Sequence, residues 1–142
     1  MNKFSKFDID ISCDKINLDI FFNKIKKNNS GGIVFFIGDI KKINNGLEVS
    51  KIYYEIFDSL AYLLLSKKCN YLSKKYNCYI YIYQYKGFLL VGEINIIIFI
   101  SSDSRKVSFG LCKFLLEYIK KEVPIWKKEY YIDGSFNWIN SF

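Results

Sequence analysis

Three lysines set around a proline bend, Lys120, Lys127 and Lys128, are the residues of this 142-residue chain whose type and spacing could do chemistry. Lys120 falls at the end of a helical pattern, and Pro124-Ile125-Trp126 follows, a bend able to turn the chain so that the amines meet in one pocket. A lysine that is partly buried or set beside another cation gives up its proton readily, which suits proton transfer, nucleophilic attack or phosphate binding. The same lysines also suit a solvated helix end, where they complement the helix dipole. A second group lies upstream. Ser101-Ser102-Asp103-Ser104-Arg105-Lys106 brings hydroxyls, an arginine and free backbone amides to a helix start, which reads either as an anion site or as an ordinary N-cap.

Several chemistries are excluded. The chain has no histidine, so a Ser/His/Asp or Cys/His hydrolase is ruled out. Neither a GxGxxG fingerprint nor a P-loop occurs, and no close carboxylate pair resembles a glycosidase dyad. Cys13, Cys69, Cys78 and Cys112 form no CxxC pair, so no metal site and no cofactor is expected, and the cysteines read as reduced, mostly buried thiols. A net charge of +7 is compatible with an anionic partner, but twenty of the 21 basic residues are dispersed lysines and only Arg105 is arginine, a poor match to a nucleic-acid footprint. Composition has drifted toward Ile, Asn, Lys, Tyr and Phe, with no Thr. The residues that stay rare, Arg105, Pro124, Ala61, Trp126 and Trp138, are therefore informative, and four of these five lie after residue 100.

The elements that must position these groups follow from periodicity. Asp14 is expected to cap an opening amphipathic helix through Ile16, Ile20 and Phe21, extended by Ile25 and stopped by Asn28-Asn29-Ser30-Gly31-Gly32. Residues 32–40 (GIVFFIGDI) and 48–57 read as two strands of a hairpin with a basic loop at 41–46. Asp58 is a plausible cap for a helix over 59–76, with Leu60, Leu63, Leu64, Tyr71 and Leu72 on its apolar face. Residues 78–85 (CYIYIYQY) and 94–100 read as central strands, the second entered through the Gly92-Glu93 turn. A last helix over 105–121 presents Val107, Leu111, Phe114, Leu115 and Tyr118 to the core, and Pro124 ends it. With 51% apolar residues and no linker or repeat, residues 1–142 are expected to form one α+β domain. Asp8 and Asp10 interrupt any signal peptide, and the apolar run at 88–100 is shorter than the roughly 20 residues that span a bilayer, so a cytoplasmic protein without membrane attachment is expected.

Taken in order, five segments resemble the large, catalytic subunits of molybdopterin synthase, the MoaE family. GGIVFFIGDIKK from Gly31 is similar to GAIVxFxGxVR, YEIFDSLA from Tyr54 to EAYxxMA, and GFLLVGE from Gly87 to GxLxxGE. SSDSR from Ser101 is similar to SSxHR, and YIKKEVPIWKKE from Tyr118 to LKxxxPIWKKE, the most specific of the set. The resemblance covers roughly residues 31 to 129 and includes four of the rare residues, Ala61, Arg105, Pro124 and Trp126. It implies an α/β hammerhead type fold that dimerises, with a small ubiquitin-like sulfur-carrier subunit docked at each end of a heterotetramer. It further implies that the small subunit's C-terminal thiocarboxylate gives sulfur, in two rounds, to cyclic pyranopterin monophosphate, forming the dithiolene of molybdopterin. By the same resemblance Lys120 activates or stabilises the substrate during sulfur attack, and Lys127 holds the phosphate and the charge that develops. Arg105 binds substrate anion across the dimer, Asp39, Ile40 and Lys41 form the substrate-contacting loop, and Lys128 and Glu129 complete the pocket.

The departures from the family pattern are specific. Ser104 stands where the family has histidine, and Lys41 where it has arginine; Gln84-Tyr85 replaces a His-Arg pair, and residues 136–142 offer no arginine. Lys41 keeps the charge but loses the bidentate fork, while Ser104 can hydrogen-bond but cannot carry a proton near neutral pH. Two readings follow: a working enzyme that has drifted, or a member that keeps the small-subunit interface without catalysis.

Overall fold

In the computed structural model, which describes residues 6–25 and 30–139, the most apolar stretches of the chain become the interior strands of a four-stranded sheet. Its order is β1 (Lys6–Ser12), β5 (Tyr79–Tyr85), β7 (Ile94–Ser102) and β2 (Gly32–Asp39), with β1 parallel to β5 and the other pairs antiparallel. β5 and β7 are covered on both faces, which is why residues 94–100 read as a nearly unbroken apolar run and why the period-two alternation of residues 78–85 does not divide β5 into a buried and a solvent face. Helices α2 (Asp58–Tyr76) and α3 (Arg105–Glu122) lie against this sheet, α2 on β1 and β5, α3 on β7 and β2. The short helix α1 (Leu18–Ile25) sets the Phe21 ring against those of Tyr81 and Phe99. A second, antiparallel sheet has β4 (Leu47–Ile56) at its centre, flanked by β8 (Ile125–Tyr131) on one edge and by β3 (Ile43–Asn44) and β6 (Gly87–Leu90) on the other, with β9 (Phe136–Ile139) beyond β8. This is a single α+β domain with mixed and antiparallel sheets, as the sequence leads one to expect.

Several local expectations are corrected. The first described element is a strand, not a helix: Phe7, Ile9 and Ile11 alternate toward the core, while Asp8 and Asp10 accept hydrogen bonds from Tyr79 and Tyr81. α1 starts three residues after Ser12-Cys13-Asp14-Lys15, because Ser12 Oγ accepts from Asp14 N and closes a turn there. Asn17, rather than Asp14, then caps the helix by accepting from Asp19 N and Ile20 N. The expected stop at Asn28-Asn29 lies outside the described residues, as do the last three residues of the tail. β2 and β4 are not a hairpin. The chain leaves the first sheet at Ile40, whose N–H donates to Glu93 O (3.0 Å) and whose carbonyl accepts from Gly92 N (2.8 Å), and β4 then pairs with β8. The loop 40–42 is thus a crossover between sheets.

The buried face of α2 is rotated from expectation, while that of α3 keeps the expected Leu111 and Leu115, with Val107 and Tyr118 packed at its edge. α2 buries Ala61, Leu65, Cys69 and Leu72, whereas Leu60, Leu63 and Tyr71 are exposed, and Asp58 is its first residue, ion-paired with Lys86 instead of capping. α3 buries Ser108, Leu111, Cys112, Leu115 and Ile119, leaving Phe114 exposed. In both cases small residues occupy the face that approaches the sheet most closely, and a periodicity read from large side chains misses them. Cys69, Cys78 and Cys112 are buried and unpaired while Cys13 is exposed; burial pushes the Cys69 thiol up to about 12 and the Cys78 thiol to about 11, so both are inert at neutral pH. No helix among the described residues is long and apolar enough to cross a membrane.

Candidate active site

The bend at Pro124 sets the site. Val123 is extended (φ −88°, ψ 133°), as the residue before a proline must be, so α3 ends and β8 begins within two residues. Phe57 N donates to Pro124 O, tying the start of α2 to this corner. Along β8 the strand period of two sends Ile125, Lys127, Glu129 and Tyr131 to one face and Trp126, Lys128 and Tyr130 to the other. Lys120 lies in the last turn of α3, where the helix dipole favours a cation. Lys120, Lys127 and Glu129 line a cavity of about 490 Å³ between the two sheets, and the crossover loop adds Asp39, Ile40 and Lys41 to its wall.

Three of the residues named by the resemblance, Lys128, Ser104 and Arg105, lie outside this chain's own cavity. Lys128 points to the outer face of the second sheet, with its amine 4.0 Å from the ring centre of Phe136, 5.0 Å from that of Tyr130 and 5.5 Å from that of Trp138. Adjacent residues of a strand cannot share a face, so Lys127 and Lys128 cannot both enter the cavity. Ser104 and Arg105 stand at the opposite end of α3 from Lys120, about four turns or 22 Å away at 1.5 Å per residue. The Ser104 hydroxyl accepts from Val107 N (3.3 Å) as an N-cap, and the Ser102 and Ser108 hydroxyls bond one another at 2.7 Å, with Ser108 donating to Gly32 O. Of the two readings of this segment, the cap is the one its hydrogen bonds fill. Arg105 itself is exposed.

Electrostatics make the cavity unusual. The Lys127 side chain is only 16% exposed and lies 3.6 Å from Glu129 Oε2. Burial holds its ammonium below the ordinary lysine range; Glu129 acts in the opposite sense, and the neighbouring charges of Lys41 and Lys120 lower it further. Glu129 is 1% exposed and fully engaged: Asn44 Nδ2 donates to both carboxylate oxygens (2.8 and 3.0 Å), and the Tyr131 hydroxyl donates at 2.9 Å. A buried carboxylate requires such partners. Three cations around a partly desolvated space, one held by a fixed carboxylate, can bind a phosphate or stabilise negative charge that develops during reaction. Among the described residues no group of three or more potential ligands is arranged to hold a metal ion.

Sequence reasoning missed four residues of this site and its support: Asn44, Tyr54, Gln84 and Asn95. The last three line the cavity. Gln84 and Asn95 carried a signal, since each is a polar residue inside an otherwise apolar strand, and Gln84 is the chain's one glutamine. Asn44 carried none, because its contact with Glu129 joins residues 85 positions apart.

The chain is similar in sequence and in fold to known proteins. Residues 11–122 match the family described as MoaE protein. The molybdopterin synthase catalytic subunit of Dictyostelium discoideum is 34% identical over 140 residues, which cover 96% of this chain and 89% of that protein. The crystal structure of molybdopterin synthase from Staphylococcus aureus superposes with a TM-score of 0.80 at 26% identity, covering 98% of both chains. The fold is also shared with a chain from the protein–protein complex of subunits 1 and 2 of the molybdopterin-converting factor of Helicobacter pylori, with a TM-score of 0.73 at 18% identity over 89% of this chain and 86% of that one.

Proposed function

This chain belongs to the MoaE family, the catalytic subunits of molybdopterin synthase, and from that premise we propose that the cavity between its two sheets is where sulfur is transferred. Its activity is that of a sulfurtransferase in molybdenum cofactor biosynthesis. The observation that carries the site assignment is the meeting of Lys120 and Lys127, from either side of the Pro124 bend, with Lys41 in one cavity. The substrate is cyclic pyranopterin monophosphate, and the sulfur arrives on the C-terminal thiocarboxylate of a small ubiquitin-like subunit. Lys127, desolvated and steadied by Glu129, holds the phosphate and the negative charge that builds as the sulfur adds. Lys120, at the negative end of α3, stabilises the substrate atom under attack. Lys41 adds charge from the crossover loop, and Asp39 and Ile40 shape that wall.

Assembly completes the proposal. The solved Helicobacter pylori complex joins subunits 1 and 2 of the molybdopterin-converting factor, and this chain is proposed to bind a small subunit in the same way, as a homodimer within a heterotetramer. Arg105, exposed at the far end of α3, serves the cavity of the second copy of the chain, and Ser104 beside it keeps the start of α3 in place.

One observation favours a second reading, in which the chain binds the small subunit without catalysis: the residue in the place of the family histidine is a serine, which accepts at a helix cap and cannot carry a proton near neutral pH. A single experiment separates the two. Molybdopterin is measured after the chain is mixed with its thiocarboxylated small subunit and cyclic pyranopterin monophosphate, beside Lys120→Ala and Lys127→Ala. Product that falls by about 10²–10³-fold in each variant supports the enzyme, as expected for loss of one preorganised charge. No product from a stable complex supports the scaffold, and undiminished product in both variants refutes the site.

A further inference from the structure

One wall of the cavity is neutral, and nothing assigned to the lysines uses it. Asn95 is the extra residue of a β-bulge: Gly38 pairs with Ile96 and Asp39 with Ile94, so Asn95 has no partner across the ladder and its side chain is turned out of register. Gly38 makes room for it. A Cβ at Gly38 would lie 2.9 Å from Asn95 Oδ1 and 2.7 Å from Ile96 Cγ2. The Asn95 amide donates from Nδ2 to the Tyr54 hydroxyl at 2.9 Å, while Asn95 Oδ1 is buried and without a hydrogen-bond partner among the described residues. Tyr54 is itself buried, and the desolvation that results raises its pKa, so its hydroxyl keeps the proton and can donate it. Both residues line the cavity, so the unmet acceptor beside a buried donor is an arrangement that a ligand or an ordered water can complete.

We infer that Tyr54 and Asn95 form a neutral subsite that reads the amide edge of a pterin ring, through Tyr54 O–H toward the ring carbonyl and Asn95 Oδ1 toward the adjacent ring N–H. The inference rests on the proposed function, since it divides one substrate between two ends of the same cavity: Lys41, Lys120 and Lys127 take the phosphate, and the Tyr54–Asn95 pair takes the heterocycle. A pyrimidinone presents an acceptor and a donor on neighbouring atoms, the complement of what this wall offers. Sites of this kind discriminate strongly, because a ligand lacking either group leaves a buried partner unmet.

The test is a fluorescence titration of the full chain with neopterin monophosphate and with neopterin, and a displacement titration with inorganic phosphate, for the wild type, Tyr54→Phe, Asn95→Leu and Lys127→Ala. Thermal melts check that each variant is folded; Tyr54→Phe removes a single atom and keeps the inference testable if Asn95→Leu is not. The expected result is a loss of about tenfold in affinity for neopterin monophosphate in Tyr54→Phe and Asn95→Leu, the effect of one hydrogen bond, with phosphate binding unchanged. Lys127→Ala gives the converse, weaker phosphate with neopterin binding retained. Equal affinity for neopterin monophosphate in the wild type and both wall variants overturns the subsite and leaves the pair to water, as does a wild type that binds no pterin. If the pattern holds while the wild type makes no molybdopterin, the catalytic reading fails and the subsite stands.

Discussion

The chemistry of the cavity turns on how one lysine is held. Lys127 carries its charge against burial and two neighbouring cations, and Glu129, itself fixed by Asn44 and Tyr131, offsets them only in part. A step that needs the Lys127 ammonium is therefore lost, as pH rises, at a lower pH than an ordinary lysine would set. Glu129→Gln removes the negative charge that helps to raise the Lys127 pKa, so the alkaline limb of the pH–rate profile is expected to move to still lower pH. An unmoved limb would mean that Lys127 does not titrate in the reaction. The same burial has a consequence for stability. Between the lowered folded value of Lys127 and the unfolded value of 10.5, the unfolded chain binds more protons, so this group makes the protein more stable as pH rises through that window. Glu129→Gln also disturbs buried hydrogen bonds and is expected to cost about 1–3 kcal/mol, read from urea unfolding at neutral pH. At the loop, Lys41→Arg restores a planar fork for phosphate and is expected to lower the KM for the pterin substrate by a few fold, while a raised KM would place Lys41 outside the phosphate's reach.

At the scale of elements, the two ends of α3 have separate duties. Its C-terminal turn brings Lys120 to the cavity, and its N-terminal turn is fastened by a run of serines that reaches back to Gly32 at the start of β2. Ser104→Ala is expected to destabilise the fold by about 1 kcal/mol, the usual worth of an N-cap, measured as a shift in the urea midpoint at constant slope. Strand identities were legible wherever a β-branched run was bounded by turn residues, as for β2, β4, β5 and β7. Strand pairing was not, because the chain changes sheets at Ile40 and again between Tyr85 and Gly87, and no local pattern records a change of sheet. Helix positions were legible too. Their buried faces were legible only in part: Leu72, Leu111 and Leu115 are inside as expected, but Ala61, Cys69, Ser108 and Cys112 are inside for their small size rather than for hydrophobicity.

For the whole molecule, the outer face of the second sheet leaves Phe88, Trp126, Phe136 and Trp138 about half exposed, with Lys51 and Lys128 lying over its rings. Exposed apolar surface on this scale suits an assembled protein better than a solitary one. The chain is expected to sediment at twice its own mass and, with the thiocarboxylated small subunit added, to take up one copy per chain; a monomer at tens of micromolar with no uptake would contradict the proposed heterotetramer. The sequence by itself determined the family and its chemistry: the PIWKKE segment, the order of five motifs and the rare residues inside them identified a sulfur-transferring subunit, in which Lys120 and Lys127 are the proposed centre. These were legible because they are local, a proline bend with charged residues at fixed spacing. Only the tertiary structure decided which neighbours share the cavity. Strand alternation turned Lys128 away from it, the length of α3 carried Ser104 and Arg105 to its far end, and chain crossings between two sheets brought in Asn44 behind Glu129 and Tyr54 against Asn95. Contacts of that kind join residues tens of positions apart, and packing creates them where no spacing along the chain could announce them.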